Sequence, residues 1–360
     1  VAPWVDLVGS WGQRLGAVAV GLALLGTVEG VLRLALGPPP PPVRVYKALG
    51  EHDVWLEPRG DGLWPAYQTD ARRIPQATVV VVLGGSSVHG GTPGLQRGGE
   101  FAAVAGRQLG IPVANLGSPG LDSHDLVEVL TDLLAHREAV PDLETVVVYA
   151  GHNDFGNARF QHRYGTVSAG LAAHLQSALG HFQLYTQLSL AVRPVVGDVR
   201  RIGGVDDFEP LSPTAWQTTL RHLDQNLARM VHLTQRADLD LVLMAPMSDL
   251  SMPPVDSTCG PSRCPSRDYA AGMESLDLAL LQRARDTDLL GLRSPTAVGE
   301  MMVAVAINSD DVEAICVEDR VPQDRVLPVP LPVLFHDPIH PSAVGHQALG
   351  ELLADLLGPA

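Results

Sequence analysis

Four short polar stretches hold the residue types that could do chemistry. Gly84-Gly85-Ser86-Ser87 follows an apolar run, and Asn115-Leu116-Gly117-Ser118-Pro119-Gly120 follows a second. Gly151-His152-Asn153-Asp154 follows a third, and Asp337-Pro338-Ile339-His340 lies near the C-terminus. A serine hydroxyl becomes a useful nucleophile when a neighbouring base takes its proton, and histidine is the commonest such base. Amide and backbone N–H donors can stabilise an oxyanion. Each stretch taken singly has a plainer account. The paired glycines fit a phosphate cradle or a structural turn equally well. Gly120 fits a turn, Asn153 a helix cap, and Asp337 with His340 a loop ion pair.

Positioning these residues requires a scaffold, and the hydrophobic pattern supplies one. Residues 77–83 read as a strand buried on both faces, as in a parallel sheet covered by helices. Helical patterns over 100–109, 123–137, 168–191 and 213–236 alternate with strand patterns over 112–116, 145–150 and 240–245. Asp122 or Ser123 can cap the helix at 123–137. This alternation predicts an α/β fold, a three-layer α/β/α sandwich on a central parallel sheet. In such a sheet the polar stretches after the strands share one edge, where ligands bind. Residues 270–285 look helical and 301–307 look like a strand, within a stretch at 251–333 that reads as an elaboration. Residues 342–357 read as an amphipathic closing helix.

Upstream, residues 1–14 form a flank and 15–36 an apolar segment. Its 22 residues reach about 33 Å as a helix, enough for a bilayer core of about 30 Å. Glu29 and Arg33 lie four apart on one helical face, where they can pair. A signal peptide and a buried amphipathic helix are the other readings; no Ala-x-Ala-like cleavage pattern follows, which favours a membrane anchor. The basic residues on either side leave its orientation open. Residues 37–76 begin with Gly37 and a run of prolines, a stiff spacer, and continue as an irregular lead-in. The globular domain is therefore expected over 77–360.

The four blocks, in this order, resemble those of the SGNH hydrolases, the GDSL esterase and lipase superfamily. The likeness implies a flavodoxin-like SGNH fold and an esterase acting through an acyl-serine intermediate, without a cofactor. It gives Ser86 the nucleophile's role, His340 that of the base and Asp337 that of its orienting carboxylate. It assigns the oxyanion hole to the backbone N–H groups of Ser86 and Gly120 and the side-chain amide of Asn153. Ser87 is left without a catalytic role and is expected to cap the following helix. Gly85 stands where many members carry aspartate, and His152 where many carry a small residue. His89 and His152 flank the expected site, where each can contact substrate or make a local hydrogen bond. An O-acyltransferase acting on a cell-envelope polysaccharide would use the same residues, and a non-catalytic scaffold would keep the fold alone.

Metal chemistry fits less well. His89, His152, Asp154, His336, Asp337 and His340 can share one sheet edge, but Gly-His-Asn-Asp reverses the Gly-Asn-His-Asp order of metallophosphoesterases. Their early Asp-x-His pair is missing as well, so no metal site is assigned. A net charge of -15 disfavours binding to nucleic acid phosphates. Of 3 cysteines, Cys259 and Cys264 are close enough in sequence for a disulfide in an oxidising compartment. The expected partners are an ester of a lipid or an acylated glycan and, through residues 15–36, a membrane, with the catalytic domain extracytoplasmic.

Overall fold

The computed structural model describes residues 4–37, 43–47, 53–58, 72–75, 77–92, 94–96, 98–160, 182–184, 187–188, 210–256, 259–260, 263–320 and 333–358. The chain forms two compact units, one of residues 1–42 with 172–201, the other of residues 43–171 with 202–360.

The first unit is built on helix α1 (Trp4–Leu36). Its stretch Gly16–Leu36 spans 21 residues at a mean hydropathy of 1.7. Apolar side chains face outward on all sides: Val18, Leu22, Leu25, Val31 and Leu34 are exposed. Such a helix is long and apolar enough to cross a membrane, and a signal sequence would pass the same test. Its charged pair is fully engaged. Arg33 Nε donates to Glu29 Oε1 at 2.5 Å, and the Glu29 carboxylate also accepts the backbone N–H groups of Gln183 at 2.9 Å and Leu184 at 2.8 Å. Most of the helix expected over 168–191 lies outside the described residues.

The second unit opens with an antiparallel sheet of β1 (Val43–Lys47), β2 (Asp53–Pro58) and β3 (Arg72–Pro75), in that order. The described residues of the lead-in, expected to be irregular, are thus strands of a small sheet. Its strands lack a clear alternation, and they are identified by backbone pairing between residues up to 22 positions apart, such as Asp53 with Pro75 and Lys47 with Val54.

The main sheet begins with β4 (Val80–Gly84), which runs into the short helix α2 (Ser86–His89). Then come α3 (Phe101–Leu109), β5 (Val113–Asn115), α4 (Ser123–Ala135), β6 (Thr145–Tyr149) and α5 (His152–Phe160). They are followed by α6 (Pro213–Arg236), β7 (Asp240–Ala245), α7 (Pro265–Ser275), α8 (Leu278–Asp286), α9 (Thr296–Ile307), β8 (Val312–Cys316), α10 (Val317–Arg320) and α11 (Ala343–Leu357). The five strands are all parallel, in the order β5-β4-β6-β7-β8. This order reverses between β4 and β6, which is where open α/β sheets bind ligands.

Period-two alternation divides the strand side chains between two cores. Val81, Leu83, Val146, Val148, Leu241 and Leu243 join Leu126, Leu130, Leu223, Leu227, Val298 and Met302 from α4, α6 and α9 on one face. Val80, Val82, Val147, Tyr149, Val242 and Met244 join Phe101, Leu281, Leu349 and Leu353 from α3, α8 and α11 on the other. The result is the expected α/β/α sandwich. Each fully buried Leu or Val side chain contributes about 1.5–3 kcal/mol.

Two expectations in the 251–333 stretch are corrected. Residues 301–307 are not a strand but the second half of α9. Short apolar runs fit helix and strand alike, and here Ala and Met favour helix after Pro295 starts it. The edge strand is instead β8, which pairs with β7. The single helix expected at 270–285 is two helices, broken where Leu276 turns left-handed at φ 55° and Asp277 caps α8 through the N–H groups of Ala279 and Leu280. α9 and β8 therefore belong to the central sandwich. Asp122, not Ser123, caps α4, in a capping box with Asp125.

Candidate active site

Ser86 is the first residue of α2, directly beyond the C-terminal end of β4. Close packing explains the two glycines before it. A Cβ on Gly84 would come within 2.2 Å of Val88 Cγ2 and 2.7 Å of the Tyr149 carbonyl, and one on Gly85 within 2.1 Å of Asn153 Nδ2. A larger side chain at this position would displace that amide. Asn153 is therefore an immediate neighbour of the turn before Ser86, although 68 residues separate it from Gly85 in sequence.

Asp337 and His340 sit in a loop closed by the bridge between Phe335 and Pro341 and by the bond from His336 N–H to the His340 carbonyl at 2.9 Å. The His340 ring joins the other two residues: Nδ1 lies 2.5 Å from Asp337 Oδ2, and Nε2 lies 2.7 Å from Ser86 Oγ. Asp337 Oδ1 accepts the backbone N–H groups of His340 at 2.8 Å and Ile339 at 3.0 Å. Burial pushes the Asp337 carboxyl up, but the hydrogen bonds from the His340 ring and these two N–H groups outweigh it and hold it at about 2. An ionised carboxylate can only accept, so the imidazole proton sits on Nδ1. Nε2 is left as the acceptor for the Ser86 hydroxyl.

The loop is held from three sides. Ser87 Oγ donates to the Ile339 carbonyl at 2.9 Å, Thr92 Oγ1 to the Pro341 carbonyl at 3.0 Å, and Asp249 N–H to the Pro338 carbonyl at 3.0 Å. Ser87 does not cap α2, contrary to expectation; Gly85 occupies the cap position without a side-chain bond. Asp249 lies two residues before the stretch read as an elaboration, which braces it through Arg293. Its carbonyl accepts from the buried Arg293, which also donates to the Met252 carbonyl and Asp288. Sequence gave no signal for this support.

The second strand-end loop and α5 face the same turn. Ser118 N–H donates to the Gly84 carbonyl at 3.0 Å, laying the loop beside β4. Asn153 Nδ2 donates to the Leu121 carbonyl at 2.7 Å, and its second proton has no acceptor among the described residues. Gly120 has φ 80°, a left-handed backbone that favours glycine. Among the described residues, the N–H groups of Ser86 and Gly120 donate to no protein acceptor. Asn157, which sequence reasoning passed over, donates from Nδ2 to the Gly120 carbonyl at 2.9 Å and to Asp122 Oδ2 at 2.8 Å. The signal was its spacing, one helical turn beyond Asn153.

Asp154 is structural. Its buried carboxylate accepts the Ser123 hydroxyl at 2.5 Å and the Ser123 N–H at 3.2 Å. Burial, and then the charge of Asp122, raise its pKa to about 7. His152 is buried, and instead of a local bond its Nδ1 accepts the N–H of Ser294, 142 residues away in sequence, at 3.0 Å. That bond puts the ring proton on Nε2, and burial and then the His340 charge lower its pKa to about 3, keeping it neutral. His89 lies at the end of α2, with its N–H bonded to the Gly85 carbonyl at 3.0 Å. No group of three or more His, Cys, Asp or Glu among the described residues is arranged to hold a metal ion. Cys259 and Cys264 form a disulfide.

Fold and site together define a class: a parallel α/β protein that presents serine, imidazole and carboxylate in one hydrogen-bonded line at its topological switch point. No family model matches the chain and no curated protein matches it. Among solved structures it is similar to a member of the lipolytic protein G-D-S-L family from Veillonella parvula, at 10% identity, covering 78% of this chain and 98% of that one, with a TM-score of 0.40. It is also similar to an acetylxylan esterase from Geobacillus stearothermophilus, at 16% identity, covering 79% and 97%, with a TM-score of 0.38. A GDSL-like lipase from Bacteroides thetaiotaomicron is 13% identical, with 78% and 88% covered and a TM-score of 0.35. At such identities the likeness says nothing of substrate or mechanism.

Proposed function

We propose that this protein is a serine esterase of the SGNH type, hydrolysing a carboxylic ester through an acyl-serine intermediate. The observation that carries the reading is the line from Asp337 through His340 to Ser86, with hydrogen bonds of 2.5 and 2.7 Å. Ser86 Oγ attacks the ester carbonyl carbon while its proton passes to His340 Nε2. Asp337, ionised throughout, stabilises the imidazolium. The carbonyl oxygen becomes an oxyanion, for which the N–H groups of Ser86 and Gly120 and the second amide proton of Asn153 are the donors. The alcohol leaves with the proton from His340. Water then attacks the acyl-serine, giving its proton to His340; the carboxylic acid departs and Ser86 regains its hydrogen.

The exposed apolar surface of α1 supports attachment of the chain to a bilayer. The disulfide between Cys259 and Cys264 supports an oxidising, extracytoplasmic compartment for the catalytic unit. Full-length protein in detergent, given p-nitrophenyl acetate and a fluorophosphonate probe, tests the chemistry. Turnover and an adduct on Ser86 are expected, and equal turnover by Ser86→Ala would sink the assignment. An added polysaccharide that becomes acylated in preference to hydrolysis would make the enzyme a transferase. Recovery of the full-length chain in the soluble fraction without detergent would count against the anchor.

A further inference from the structure

Two asparagines one turn apart on α5 hold two successive backbone carbonyls of the loop after β5. Asn153 donates to Leu121 at 2.7 Å and Asn157 to Gly120 at 2.9 Å. The second Asn157 proton goes to Asp122 Oδ2 at 2.8 Å, and Asp122 in turn caps α4 through the N–H groups of His124 and Asp125. Asn157 is buried, so both donors are committed in a place where water does not compete. One amide nitrogen thereby fixes the Gly120 carbonyl against the rigid start of α4. Gly120 needs fixing because its backbone is left-handed and glycine readily adopts other conformations.

We propose that Asn157 is a positioning residue for the oxyanion-binding groups, an inference that rests on the esterase reading. The Gly120 carbonyl lies in the peptide that joins the α-carbons of Gly120 and Leu121. Releasing it would free the torsions on either side, and with them the Gly120 N–H and the Leu121 carbonyl, the group that the Asn153 amide holds. Asn157 restrains both donors from one point, without touching substrate. Such restraint matters because a displacement of about 1 Å can cost about a hundredfold in rate.

The test compares the full-length wild type with Asn157→Ala, Asn157→Ser and Asn226→Ala in detergent, all against p-nitrophenyl acetate. Asn226 donates to Ser123 Oγ at 2.9 Å in the same buried network, but it holds neither Gly120 nor Leu121. Its substitution therefore matches the loss of a buried hydrogen bond. Asn157→Ala is expected to lower kcat about tenfold to a hundredfold, with KM within about threefold, and to slow fluorophosphonate labelling of Ser86 in parallel. Asn157→Ser, which keeps one donor, should fall between it and wild type and gives the readout if the alanine variant does not fold. Asn226→Ala should lose thermal stability while kcat stays within about twofold. A folded Asn157 variant with wild-type kcat, or an equal loss of kcat in Asn226→Ala, overturns the inference. Wild-type turnover no greater than that of Ser86→Ala overturns the esterase reading itself, and the inference with it.

Discussion

Ser87 Oγ donates to the carbonyl of Ile339 at 2.9 Å across 252 residues of sequence, so the serine beside the proposed nucleophile ties its turn to the loop of Asp337 and His340. The bond is buried. Ser87→Ala should cost about 1 kcal/mol of stability and lower kcat about tenfold through a looser Ser86 to His340 distance. Chemical denaturation and steady-state kinetics on the same sample check both; an unchanged kcat would mean that the other two attachments suffice.

Asp337→Asn tests the tautomer argument. An asparagine amide can donate to Nδ1, which favours a proton on Nε2, where the Ser86 hydroxyl needs an acceptor. In a serine protease the equivalent change costs about 10⁴-fold in kcat. A loss of about 10³–10⁴-fold is expected here, with fluorophosphonate labelling slowed to match.

Gly85→Ala places a methyl group where Asn153 Nδ2 now sits 2.1 Å away. Gly85 has φ -84°, which alanine adopts freely, so the effect is steric. The Asn153 amide must shift, and kcat should fall about 10²-fold, as when an oxyanion donor is lost. Retained thermal stability with reduced kcat would separate this from misfolding.

Asp154 makes stability depend on pH. Burial and the Asp122 charge raise its pKa from 3.8 to about 7 in the folded state. Between those values the native protein holds a proton that the unfolded chain has lost, so this group's contribution declines as pH rises from about 4 to about 7. Asp154→Asn removes that decline. Denaturation at about pH 5 and about pH 8 should show the variant gaining on wild type at the higher pH; a constant difference would contradict the raised pKa.

The disulfide between Cys259 and Cys264 closes a short loop, worth about 2 kcal/mol on a chain-entropy estimate. Mass spectrometry without reductant should find this pair bonded and Cys316, whose thiol burial pushes up to about 11, free. A Cys259→Ser, Cys264→Ser double variant should unfold at lower denaturant concentration.

The sequence by itself determined the α/β alternation, since strands buried on both faces read as continuous apolar runs and amphipathic helices declare their period. It also determined the chemical types at the strand ends, because nucleophile, base and carboxylate are distinguished by side chain alone. Tertiary structure decided what short patterns leave ambiguous. The apolar run at 301–307 is helix while β8 fills the sheet edge, and β1, β2 and β3 are held by backbone pairing that leaves little periodic trace. It also decided which of two adjacent serines meets His340 and which holds the Ile339 carbonyl, a matter of side-chain direction at one turn. The hold of Asn157 on Gly120 and the support of Pro338 by Asp249 join residues 37 and 89 positions apart. Such contacts depend on how loops pack, and no local pattern in the chain encodes them.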